Sequence, residues 1–270
     1  MKPAATNGVR TGWLTLAVMI TSMAAALAFQ TALPAGFATA DAADFTHYYA
    51  PLAHSILTGR GLLLPDGQMA TANPPGYPLL LATLFWFSTL TRLTEMTLLQ
   101  MMGLLGMGVS SVLLFLAARL LWPPWPALVA PLVWMTCPFA LWLTTFPNTE
   151  LPFVVVLFGS FYLLWRAILE QEHRLLIGWL TGLLMGVAML IRAIAVAGGL
   201  LLAIAAWLGG RELNMRLRLA LVAAILLGNL IAILPWQTWL IVRTGKTVLL
   251  GTNSIPSVRD GLTFAINSKE

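Results

Sequence analysis

The chain has 270 residues, of which 59% are hydrophobic and only 9% charged. Soluble domains carry roughly 25% charge, so the composition excludes a water-soluble globular protein and makes lipid the solvent. The formal charge of +5 comes from singly scattered Lys and Arg, which offers no basic patch for nucleic acid and bears on membrane orientation instead; the one cysteine, Cys137, excludes an intrachain disulfide.

In chain order, residues 13–30 are apolar over a length that crosses hydrocarbon at 1.5 Å per residue. Lys2 and Arg10 lie before them, which places the N-terminus in the cytoplasm and residue 31 onward outside. The first run is read as an uncleaved span, because further spans follow. The next stretch, Asp41 to Pro78, is the longest polar interval. It holds three of the four Asp and two of the three His.

Within it, residues 44–58 predict a helix. Asp44 is placed to cap it, and Tyr48, Leu52 and Ile56 recur every four residues. Gly59 and Gly61 end it, Pro65-Asp66-Gly67 reads as a turn, and Asn73-Pro74-Pro75-Gly76 breaks the chain again. Residues 77–90 are apolar but short, reaching about 21 Å against about 30 Å of hydrocarbon. Further spans are expected at 96–118, 125–144, 151–168, 175–191, 193–209 and 219–236.

Charge decides the status of 77–90. If they do not span, Arg119, Arg166, Arg174, Arg211, Arg216 and Arg218 join Lys2 and Arg10 on the cytoplasmic side, as the positive-inside rule requires. The fold class expected is therefore all-α integral membrane. It has about seven transmembrane helices, one re-entrant or interfacial helix, and a large external loop over 31–95. The whole chain, 1–270, forms one transmembrane domain in the plasma (inner) membrane, with its C-terminal tail outside.

On this topology several polar positions from distant parts of the sequence meet on the external face. Asp44 is either a helix cap or a general base, with His47 three residues on as a helper or substrate contact. Asp41 is a weaker candidate. Glu150 opens a span, where it complements the helix dipole or pairs with a cation, a metal or a polar ligand. Arg192 interrupts apolar sequence on the side where arginine is least expected, either in a turn or as a phosphate ligand. Arg243 and Lys246 flank Gly245, and either hold a phosphate or decorate a surface turn.

The segments DFTHYYAPLAHSILTGRGLLLPDG, NPPGYPLLLA, NTELPF, GLLMGVAMLIRA and PWQTWLIVRTGK follow one another in this order. Together they resemble the polytopic lipid-linked glycosyltransferases of the GT-C fold, in the group of dolichyl-phosphate-mannose protein mannosyltransferases and lipid A aminoarabinose transferases. The resemblance implies that Asp44 is the catalytic base, with Tyr48 or Tyr49 a turn later, and that Arg192 lies near the lipid phosphate. It implies Glu150 as the second external acid, which in several members helps hold a divalent metal. Asn73 falls before the paired prolines, where some relatives carry a basic residue, and Phe45 stands where many carry a second acid. The partners implied are a polyprenyl-phosphate-linked sugar donor, a lipid, glycan or protein acceptor and membrane lipids, with no nucleic acid. Members are commonly longer, so the chain reads as a compact relative or a piece of a longer enzyme. A transporter and a non-catalytic assembly subunit are the competing expectations.

Overall fold

The computed structural model describes residues 8–34 and 43–253. Lys2 and Asp41 lie outside them. Among the described residues every regular element is a helix and there is no strand; one isolated bridge, Leu63 to Met69, closes the expected Pro65-Asp66-Gly67 turn. There Asp66 accepts from the Gln68 N–H at 2.9 Å, and Gly67 takes φ 81°. Among the described residues five helices are long and apolar enough to cross a membrane: Thr11–Ala32, Glu95–Arg119, Glu150–Leu169, Arg174–Ile191 and Met215–Thr244. The protein is thus an all-α polytopic membrane protein.

The elements in order are α1 (Gly8–Ala32), a π-helical turn (Phe45–Tyr49) running into α2 (Ala50–Leu57), α3 (Gly76–Thr91), α4 (Glu95–Arg119), the short helices α5 (Pro124–Ala127), α6 (Val129–Thr136) and α7 (Pro138–Trp142), then α8 (Glu150–Leu169), α9 (Arg174–Ile191), α10 (Gly198–Gly209) and α11 (Met215–Thr244). Thr94 caps α4 through the Thr97 N–H, and Asn214 caps α11 through the Leu217 N–H.

α9 and α11 form the centre and run parallel. Gly178, Gly182 and Gly186 repeat every four residues on α9 and meet α11 at Leu221, Ile225 and Asn229–Ala232. A Cβ at Gly182 would stand 1.9 Å from the Ile225 carbonyl oxygen, and one at Gly228 2.1 Å from that of Trp179. In lipid, helices associate by packing rather than by the hydrophobic effect, so this small-residue seam lets the backbones close. α10 returns antiparallel, with Gly198 on Met185 and Gly199 on Asn229. On the other flank α8 packs on α9 and on α4, where Gly159 meets Leu184 and Gly106 meets Leu151.

Three expected spans differ in detail. Residues 125–144 are not one helix, because Pro126, Pro131 and Pro138 each lack an N–H, and the chain resolves into α5, α6 and α7 with Cys137 extended before Pro138. Residues 193–209 shorten to α10, because Arg192 is extended at φ −140° and Ala193–Ala195 form a 3₁₀ turn. The last helix does not stop at 236. It runs from Met215 through Pro235 to Thr244, about 45 Å, and ends at Gly245 with φ 64°.

Candidate functional site

The N-terminus of α8, the C-termini of α9 and α11, the π turn and the start of α3 gather at one end of the molecule. α3 begins there by direct contact. A Cβ at Gly76 would lie 2.5 Å from the Leu190 carbonyl oxygen, so only glycine lets the Asn73–Gly76 break seat on the end of α9. Its far end joins α4 through Arg92, Leu93 and Thr94, with Arg92 left-handed at φ 62°. The chain after α11 straps the same region. Thr252 and Asn253 N–H donate to the Thr71 and Ala72 carbonyls at 2.9 and 3.3 Å. That strap is held to α11 by Trp236 Nε1 on the Leu250 carbonyl (2.8 Å) and by Gln237, which bonds Val248 and Leu250.

Glu150 and Arg192 are brought together. Arg192 Nη1 lies 2.5 Å from Glu150 Oε1 and donates to Thr149 Oγ1 at 2.7 Å, across 43 positions of sequence. Asn148 makes this possible. Its Oδ1 accepts the Leu151 N–H at 2.9 Å while its amide donates to the Leu143 and Phe146 carbonyls. With that helix donor satisfied, the Glu150 side chain can face Arg192. The side chains remain 38% and 29% exposed, so a ligand can reach the pair. Arg192 sits in the gap between α9 and the 3₁₀ turn, where its extended backbone points it out of the helical register.

Asp44 does not cap the helix. Its backbone is already helical (φ −61°, ψ −38°), it makes no side-chain capping bond, and it is exposed. The reason is the π turn, in which the Ala50 N–H reaches back to the Phe45 carbonyl and widens the coil. Such single π turns recur at functional sites. The widened turn gives Asp44 a new neighbour in Tyr49, five residues on. The Tyr49 phenol is pushed up to about 12, first by burial, then by the Asp44 carboxylate and Tyr48, with Glu150 adding and Arg192 opposing. Asp44, Glu150 and Arg192 therefore all act on one hydroxyl. Tyr48 accepts the Asn73 N–H at 3.3 Å and stacks edge-on against Tyr49. Burial raises its phenol as well, opposed by that bond. His47 is exposed.

Arg243 and Lys246 are exposed at the end of α11, and no contact among the described residues joins them to Glu150 and Arg192. Two residues of the cluster escaped the sequence reading. Thr149 stood out only as part of the segment NTELPF. Tyr77 was only the residue after Pro-Pro-Gly, yet it is fully buried and stacked edge-on against Tyr49 at 5.1 Å. Among the described residues no three His, Cys, Asp or Glu gather in a way that could hold a metal. Glu150, the expected ligand, carries the Arg192 cation on Oε1 and the Thr149 hydroxyl on Oε2 at 3.3 Å.

A search of curated proteins and a search of solved structures each found no match to the chain. The family model described as dolichyl-phosphate-mannose-protein mannosyltransferase matches residues 67–239, well over half of the chain. The match takes in Asn73, Tyr77, Glu150 and Arg192 and leaves Asp44 and Tyr49 outside. With helices long enough to span a membrane and this match, the chain belongs to the dolichyl-phosphate-mannose-protein mannosyltransferase family and is a membrane protein of glycosyltransferase type.

Proposed function

We propose that the protein transfers a sugar from a polyprenyl-phosphate donor to an acceptor on the external face of the plasma membrane, inverting the anomeric centre. The observation that carries this is the partly exposed Arg192 guanidinium, held by Glu150 and Thr149 at the end of the bundle that also carries Asp44, exposed and free of any capping bond. Asp44 takes the proton of the acceptor hydroxyl. The acceptor oxygen bonds to the anomeric carbon as the bond from that carbon to the phosphate oxygen breaks. The electron pair leaves with the lipid phosphate, and Arg192 stabilises its growing charge through a planar fork suited to phosphate. Tyr48, Tyr49 and Asn73 shape the sugar-facing wall, with His47 at its exposed rim. Arg243 and Lys246 are secondary cations at headgroup level.

The topology proposed with this chemistry has seven crossings: the five long helices, the α5–α7 series and α10. α3 lies at the external interface, and the N-terminus is cytoplasmic. A divalent ion at Glu150 would have to displace Arg192, so transfer is expected to survive a chelator.

The test is substitution of the base. Asp44→Asn keeps the shape of the side chain but cannot accept the proton. Folded yield and donor binding should stay normal while turnover falls roughly 10²–10⁴-fold; Asp44→Ser should behave alike. Near wild-type turnover in both variants would remove Asp44 from the mechanism. A dead Asp41→Asn beside an active Asp44→Asn would move the role to Asp41.

A further inference from the structure

The Tyr77 hydroxyl has no assigned partner and no assigned task. It is buried, with no hydrogen-bond partner among the described residues. An unsatisfied buried hydroxyl is costly, and a phenylalanine of the same shape would avoid the cost. The ring is fully buried in the cluster that includes Ile191, the residue before Arg192, with Phe153, one turn after Glu150, packed against it. Edge-on stacking at 5.1 Å fixes it behind Tyr49, and the Glu150 carboxylate is near enough to act on its hydroxyl.

The ion pair beside it has a problem to solve. Arg192 is the cation for the donor phosphate, yet here it is held by Glu150. When a phosphate takes the guanidinium, the carboxylate is left facing a second anion with its counter-ion shared or gone. Charges at such a boundary need a partner.

We propose that Tyr77 is the positioning residue for this exchange: its buried hydroxyl donates to the Glu150 carboxylate once Arg192 turns to the lipid phosphate. Tyr77 then acts through Glu150 and touches neither the sugar nor the phosphate. The idle hydroxyl is a group held ready for the donor-bound state. Its cost in the empty protein is recovered when donor binds. The proposal rests on the donor chemistry given above.

The experiment measures binding of a polyprenyl monophosphate to the full chain in nanodiscs, together with thermal stability without ligand. Tyr77→Phe should leave the empty protein as stable as wild type or more so, because an unsatisfied hydroxyl is gone. It should weaken lipid-phosphate binding about tenfold or more, the range of a hydrogen bond to a charged group. In a Glu150→Gln background the same substitution should change binding less than twofold, since the charge to be stabilised is absent. A purely structural tyrosine gives the opposite pattern, with lower stability and the same binding loss in both backgrounds, and that result would overturn the proposal. Wild-type binding retained in full by Tyr77→Phe would overturn it too while leaving the donor chemistry standing. Failure of the wild type itself to bind any polyprenyl monophosphate would overturn the donor chemistry and this proposal together.

Discussion

The arginines at the two ends of the bundle differ in what they hold. At the end opposite the site, Arg174 donates to the Ala167 and Ile168 carbonyls at the close of α8. Arg218 donates to the Trp207 carbonyl at 2.6 Å and lies 3.7 Å over the Trp207 ring. Arg119 donates to the Trp122 carbonyl, and Arg166 is paired with Glu170 four residues on. These partners are local in sequence or close the turn between successive helices, and most are terminal carbonyls that attract cations. Arg192 instead holds two side chains from the start of a distant helix and donates to no backbone carbonyl among its described bonds. Arginine as a staple bonds to the fold around it. Arginine as a site keeps a reachable fork on exchangeable partners.

Breaking the contrast at its sharpest point gives the largest effect. Arg192→Ala should lower kcat/KM for transfer by about 10²-fold or more. Arg192→Lys should recover part of it, because the charge returns without the fork. The check is steady-state transfer at varied donor. Gly182→Val comes next. It drives a side chain into the Ile225 carbonyl, at a cost above the roughly 1–3 kcal/mol usual for overpacking, and folded yield in detergent should collapse. Arg218→Ala should cost about 1–2 kcal/mol for a lost hydrogen bond and cation–π contact, seen as a lower Tm, with kcat/KM per folded molecule within about twofold of wild type. A large activity loss there would erase the distinction between the two ends.

The smallest effect is a pH dependence at Tyr49. Its folded pKa is raised from 10.0 to about 12, so the folded state holds the phenolic proton more tightly than the unfolded chain. That contribution is complete below pH 10 and is lost as pH rises through about 12. Wild-type Tm should therefore fall over this window more steeply than that of Tyr49→Phe. Equal slopes would mean that Tyr49 does not sense the cluster.

Most helices were legible because length and hydropathy set them. The expected 77–90, 151–168 and 175–191 become Gly76–Thr91, Glu150–Leu169 and Arg174–Ile191. The break at Arg192 was legible from its charge. The π turn was not, since a helix that reads every four residues gives no sign of one extra residue per turn; it removed Asp44 from the cap and gave it Tyr49. Nor was the continuation of α11 through Pro235, because a proline in a membrane helix can be tolerated when its freed carbonyl finds other partners. The Glu150–Arg192 pair lay beyond any local pattern. It depends on Asn148 taking over the cap and on the α8–α9 hairpin returning Arg192 to the level from which α8 started.

The central claim, that this end of the bundle carries out sugar transfer on the external side, is tested most directly with the purified protein in sealed liposomes of known orientation. A labelled polyprenyl-phosphate sugar is supplied in the bilayer, and a membrane-impermeant acceptor is added to the compartment that faces Gly67. Labelled, anomerically inverted product should form in that compartment only, while a cysteine at Arg216 stays protected from a thiol reagent added there. Product formed only from the opposite compartment, or no transfer with any polyprenyl-phosphate sugar, would contradict the account.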